Sequence, residues 1–192
     1  MPNYNGVWSL STQYQYAADW PLNPEDIQSA SAQSSARAVF AGGEIGGSAV
    51  NTMEFVTIAT TGNVTDFGDM TVARTRLAGC SSYTRGVFGG GSSATNVMDY
   101  ITIATAGNAT DFGDLSATKS QLTAVSSNIR GVFAGGYAGG NIDVMEYITI
   151  ASVGNVTDFG NLSAISRRGT GHSSTTRGVI ALGTPTASDS YS

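Results

Sequence analysis

The apolar residues of this chain come in short runs, and the runs recur four to a unit. In the second unit they are LAGCSS (Leu77 to Ser82), RGVFGGG (Arg85 to Gly91), VMDYITIAT (Val97 to Thr105) and ATDFGDL (Ala109 to Leu115). Each run is β-branched and aromatic and is bounded by Gly, Asn and Ser, which predicts a strand between turns. No window of helical period occurs in these units. The third run is apolar on both alternating faces, with Met98 and Tyr100 on one and Ile101 and Ile103 on the other. A strand of that kind predicts cover on both sides.

The unit is a repeat. Its second run reads RAVFAGG from Arg37, RGVFGGG from Arg85, RGVFAGG from Arg130 and RGVIALG from Arg177, so the arginines are 48, 45 and 47 residues apart. That period with several short strands per unit predicts a stacked array, most often a β-propeller of four-stranded antiparallel blades. Complete units start near Ala30, Arg76 and Gln121. The fourth has its first two strands, Arg168 to Ser174 and Arg177 to Gly183, and stops before a third. The expected organisation is an N-terminal arm and linker over 1–28, followed by the β-repeat domain over 29–192. The arm holds Trp8, Tyr14 and Trp20, a candidate docking surface, and is broken at Trp20-Pro21 and Asn23-Pro24. An open sheet edge invites pairing, so the half-finished fourth unit is expected to be closed. Gly6 to Ser11 supplies one candidate strand, another protomer a second, and a longer parent chain a third.

Composition narrows the classes of partner. Only 12% of residues are charged, Lys119 is the one lysine, and the net charge is −5. Nothing is basic enough to predict a nucleic-acid partner, and no basic amphipathic helix predicts a membrane surface. No run is long and apolar enough to predict membrane insertion, and the first residues lack the pattern of a secretory signal. A lone cysteine, Cys80, excludes a disulfide framework within the chain.

Motifs that suggest chemistry recur in every unit, which argues for turns and strands rather than a catalytic centre. D-F-G at Asp66, Asp111 and Asp158 lacks the catalytic loop and strand lysine that make it a magnesium site in kinases. The sets Asn63, Asp66, Asp69; Asn108, Asp111, Asp114; and Asn155, Asp158, Asn161 are oxygen-rich, yet follow no calcium-loop spacing and read as turn-capping residues. The same asparagines form N-x-Thr sequons, again explained by a repeated turn. GGEIGG and GGYAGG follow strands but precede no helix, so they do not read as phosphate loops. His172 stands alone, without a placed acid and nucleophile. The arginines opening each second strand, Arg37, Arg85, Arg130 and Arg177, are expected to pair with an aspartate such as Asp111, in the same or a neighbouring sheet. No catalytic residue, cofactor or metal is expected. The loops after the Gly-Gly pairs vary while the strands do not, which makes Glu44, Ile45, Ser92, Ser93, Tyr137 and Asn141 candidate binding positions.

A serine-rich first strand, a Gly-Gly end, an acidic-aromatic third strand (Met53-Glu54-Phe55, Met98-Asp99-Tyr100, Met145-Glu146-Tyr147) and an outer strand ending in Leu or Met together resemble kelch-type propeller repeats. The outer strand departs from kelch in carrying D-F-G-D where kelch repeats carry tryptophan. The runs Asn96 to Leu115 and Val144 to Leu162, and the leader Gly6 to Pro21, resemble repeat proteins of marine bacteriophages, cyanophages in particular. The resemblance implies a non-enzymatic virion structural protein: a tail fibre, head fibre or capsid decoration. It also implies residence in the virion, contacts with other virion proteins, homo-oligomerisation and attachment to host surface glycans. A free carbohydrate-binding propeller lectin is the alternative, and an enzyme on a propeller scaffold ranks behind both.

Overall fold

A computed structural model describes residues 37–92 and 95–184. They belong to a unit that begins at Ala36. Trp8, Tyr14, Trp20 and Ser93 lie outside the described residues.

Every regular element described is a strand. The first sheet orders β1 (Arg37–Ala41), β4 (Thr52–Thr57) and β5 (Thr65–Asp69). Between β1 and β4, the Gly-rich loop folds into a small hairpin of β2 (Glu44–Ile45) and β3 (Ser48–Ala49). The second sheet is a four-stranded meander of β6 (Ala78–Ser81), β7 (Arg85–Gly89), β8 (Val97–Thr102) and β9 (Thr110–Asp114). The third repeats it with β10 (Thr123–Ser126), β11 (Arg130–Ala134), β12 (Ile142–Thr149) and β13 (Thr157–Ser166). A half-sheet of β14 (Thr170–Ser173) and β15 (Gly178–Ala181) follows. All pairings are antiparallel. The all-β expectation and the four strands per unit therefore hold in the two middle repeats. The described sheets do not close into a ring.

The two-faced third strand explains the stacking. Phe88 and Ile101 of the second sheet pack toward the first, against Met53, Phe67 and Met70. Val87, Met98 and Phe112 pack the other way, with Phe133 and Ile148 of the third sheet and Ile150 just after β12. The second sheet is thus apolar on both faces because it lies between two neighbours, and the core is divided into inter-sheet layers.

The Gly-Gly pairs end the second strands in left-handed backbone, at φ +66 and +121 for Gly42 and Gly43 and +67 and +127 for Gly90 and Gly91. They also let the connector between sheets approach. A Cβ on Gly42 would sit 2.5 Å from the Arg74 carbonyl oxygen, and one on Gly90 would sit 2.6 Å from that of Lys119. Both roles expected of these glycines, turning and close approach, are used at once.

The D-F-G triplet is a β-bulge. Met53 pairs with Gly68 and Glu54 with Asp66, which leaves Phe67 as the extra residue. The shift recurs at Met98/Asp99 in the second sheet and at Met145/Glu146 in the third. The bulge glycines Gly68, Gly113 and Gly160 take φ of +132, +136 and +122. A bulge bends its strand and re-aims one side chain. In the first two sheets that side chain, Phe67 or Phe112, is swung into the layer facing the next sheet and is 2% exposed.

Candidate functional site

The most elaborate chemistry among the described residues lies at the joints between sheets. The outer edge of each joint is a three-bond clamp. Gly107 N–H donates to the Phe67 carbonyl at 2.6 Å, and Ala109 N–H donates to that of Asp69 at 2.8 Å. Between them, Asp69 N–H donates to Asn108 Oδ1 at 3.0 Å. The next joint repeats the pattern. Gly154 and Val156 donate to Phe112 and Asp114, and Asp114 N–H donates to Asn155 Oδ1 at 3.0 Å. The asparagines expected to cap their own turns instead hold the outer strand of the preceding sheet. Sequence reading missed this because a one-repeat offset is invisible in any single motif. Asn108→Ala is expected to lower stability by about 1 kcal/mol, the size of one ordinary hydrogen bond. Asn63→Ala, at the first described Gly-Asn turn, where no described strand is clamped, is expected to cost less, and urea unfolding of the two variants tests the difference.

The arginines do not meet aspartates. Arg85 lays its guanidinium 4.3 Å from the centroid of the Tyr100 ring, Arg130 sits 4.3 Å from Tyr147, and Arg37 sits 4.5 Å from Phe55. Arg85 Nη1 then donates across the joint to the Ile150 carbonyl at 2.9 Å, and Arg37 Nη1 donates to those of Ile103 and Ala104 at 3.1 and 2.9 Å. The expected Arg–Asp pair is corrected to a stacked arginine that caps strand-end carbonyls of the following sheet. The aromatic residue of the third strand lies beside the arginine, and a guanidinium stacks well on such a ring.

The buried charges lie elsewhere. Arg74, in the connector after β5, reaches Asp99 on β8 at 2.8 Å, and both side chains are fully buried. Arg74 also donates to the carbonyls of Val97 and Phe88, and Thr71 Oγ1 donates to Asp99 at 2.5 Å. Burial holds the Arg74 pKa below its ordinary value, and the Asp99 charge opposes that pull. Lys119 and Glu146 occupy the same places one repeat on, 2.7 Å apart. A signal for these pairs was present: an acid between apolar neighbours in each third strand, and a cation 45 residues apart in successive connectors.

The inner strands are joined by a row of serines. Ser81 N–H donates to Ser126 Oγ and Ser126 N–H to Ser173 Oγ, each at 3.2 Å. Arg76, Gln121 and Arg168 open successive units in left-handed backbone at φ near +58, and each of the later two donates its N–H to the carbonyl of the one before. Cys80 packs in the same layer. Burial pushes its thiol up to about 12 from 9.0. The neutral thiol is favoured in the fold, so this contribution to stability is full below pH 9 and declines as pH rises through about 12. Disulfide exchange with an aromatic disulfide reagent at pH 8 is expected to be at least about a hundredfold slower on the folded chain than after unfolding in urea.

The candidate loop residues gather at the Gly-Gly ends of their sheets but differ in kind. Glu44 and Ile45 stand exposed on the β2–β3 hairpin, with Ile45 70% exposed. Ser92 is tied to the connector, with its N–H donating to the Thr75 carbonyl at 2.7 Å and its Oγ against Thr75 Oγ1. Tyr137 bridges to Ser120 and Asn141, and Arg167 lies 5.5 Å from its ring. Asn141 Nδ2 donates to the Thr184 carbonyl at 3.2 Å. The candidate metal and phosphate motifs are not assembled into a shared site. No group of three or more His, Cys, Asp or Glu side chains converges among the described residues.

No protein-family model matches the chain, and no curated protein matches it either.

Proposed function

We propose that this chain is a kelch-like propeller-type scaffold that serves as a non-enzymatic structural component of a bacteriophage virion. A tail fibre, head fibre or capsid decoration fits the reading. In it the Gly-Gly end presents host-contacting loops toward surface glycans. One observation carries the proposal: the joints are repeated group for group, while the loops at one end diverge. The first loop is a hairpin bearing Glu44 and Ile45, the second is tied down through Ser92, and the third presents Tyr137. Constant joints with divergent ends are what a display scaffold requires. The resemblance of Asn96 to Leu115 to marine phage proteins directs the reading to a virion. Mass spectrometry of purified particles tests it, because absence of the chain from virions overturns the placement. A glycan array tests the loops, with binding expected to be lost in Ile45→Asp and Tyr137→Ala. Binding that survives both substitutions removes the glycan assignment.

A further inference from the structure

Two buried ion pairs rivet the joints, and they are not copies of one another. The backbone of Arg74 is held by the first sheet's loop: its carbonyl accepts from Gly43 N–H at 3.1 Å, and its N–H donates to the Val50 carbonyl at 3.2 Å. Its side chain belongs to the second sheet, where it meets Asp99 at 2.8 Å and donates to the carbonyls of Val97 and Phe88 at 2.8 and 3.2 Å. Lys119 is placed in the same way one repeat on. Its carbonyl accepts from Gly91 N–H at 2.9 Å, and its Nζ meets Glu146 at 2.7 Å and Ser116 Oγ at 3.4 Å. Asp99 stands opposite Phe88 and Asp111, and Glu146 stands opposite Phe133 and Asp158, so the two acids hold one place in their sheets. The forked base is matched with the short acid, and the unforked base with the long acid. Elsewhere the two joints use nearly the same groups: Phe67 and Phe112 in the bulges, Asn108 and Asn155 in the turns, Met70 and Leu115 after the outer strands.

We infer that the two pairs are an address code that fixes which sheet docks on which. The second and third sheets offer the same turn and the same kind of apolar layer to whatever precedes them. Either could therefore settle on the first sheet, from its own chain or from a neighbouring one, and misassembly of that kind is a characteristic failure of repeat proteins. The buried pair tells the right sheet from the wrong one. Glu146 brought to Arg74 adds a methylene to a fully enclosed site, which forces the sheets apart. Asp99 brought to Lys119 falls a methylene short, which leaves two buried charges poorly joined. Arginine and lysine are not interchangeable at such sites, because the fork of Arg74 reaches two carbonyls as well as its acid. The penalty on the wrong combination, more than the attraction in the right one, supplies the discrimination. The asparagine clamp is the same in both joints and cannot supply it.

Three variants of the full chain test the code. Asp99→Glu with Glu146→Asp keeps every charge but mismatches both joints, and its folding equilibrium constant from urea unfolding is expected to fall at least about a hundredfold. Adding Arg74→Lys and Lys119→Arg matches both joints again and is expected to bring the constant back to within about tenfold of the original. Lys119→Arg with Glu146→Asp alone gives both joints the same matched pair. That chain is expected to be as stable as the rematched one. Refolded by dilution from urea at high protein concentration, it is expected to give at least about threefold more misassembled oligomer by size-exclusion chromatography, because its sheets are no longer told apart. Full stability of the mismatched chain, or a loss that rematching does not restore, overturns the size matching. Equal oligomer yields from the rematched and same-pair chains overturn the address code.

Discussion

Asp99→Ala is expected to destabilise the fold by about 3–5 kcal/mol, the loss typical of a buried charge stripped of its partner. The guanidinium of Arg74 then remains fully buried, held only by the carbonyls of Val97 and Phe88. Its Nε already has no hydrogen-bond partner among the described residues, so the loss of Asp99 adds to an incompletely satisfied buried group. For a domain of this size the loss corresponds to a fall of roughly 10 °C or more in Tm. The double variant Arg74→Met, Asp99→Leu is expected to recover most of the loss, because it removes both desolvated charges together. Thermal unfolding followed by circular dichroism separates the two. A single-variant loss below about 1 kcal/mol would mean that water reaches the pair, contrary to its burial.

Gly113→Ala is expected to cost about 3–4 kcal/mol, and Gly160→Ala only about 1 kcal/mol, although both glycines take the same unusual backbone. Gly113 sits at φ +136 and Gly160 at φ +122, so each alanine meets a similar conformational penalty. The surroundings differ. A Cβ on Gly113 would strike the Gly154 carbonyl and lie 3.0 Å from the Asn155 nitrogen, whereas one on Gly160 meets nothing within 4 Å. The difference between the two variants therefore isolates the joint from the bulge. Equal losses in urea unfolding would show that the clamp contributes little to holding the second and third sheets together.

Much of the architecture was readable from the alternation of residues. The third strand's two apolar faces foretold a sheet covered on both sides, and Met98 and Ile101 do face opposite neighbours. Gly90-Gly91 marked a turn and a close approach, and both occur. The joints were less readable because their partners lie one repeat apart. Asn108 looks like a local cap until its acceptor position is seen against Asp69, 39 residues earlier. Pairing Arg85 with an acid is the natural reading because the aspartate recurs with the arginine and the guanidinium fork suits a carboxylate. The strand register instead sets the Tyr100 ring beside it, and the carbonyl it caps belongs to the next sheet. The buried pairs were missed for a third reason. Arg74 and Lys119 lie in connectors between units, outside the four apolar runs, yet the connector is drawn inward where it meets the Gly-Gly backbone.

The clamp also gives the array a sense of direction. In both clamped joints the earlier sheet presents the bulged strand and the later one presents the Gly-Asn turn. Plug and socket sit on opposite faces of every unit. Units joined in this way line up head to tail and cannot meet face to face through the same groups. An open array of such units leaves a plug at one end and a socket at the other, whereas a closed ring joins the two.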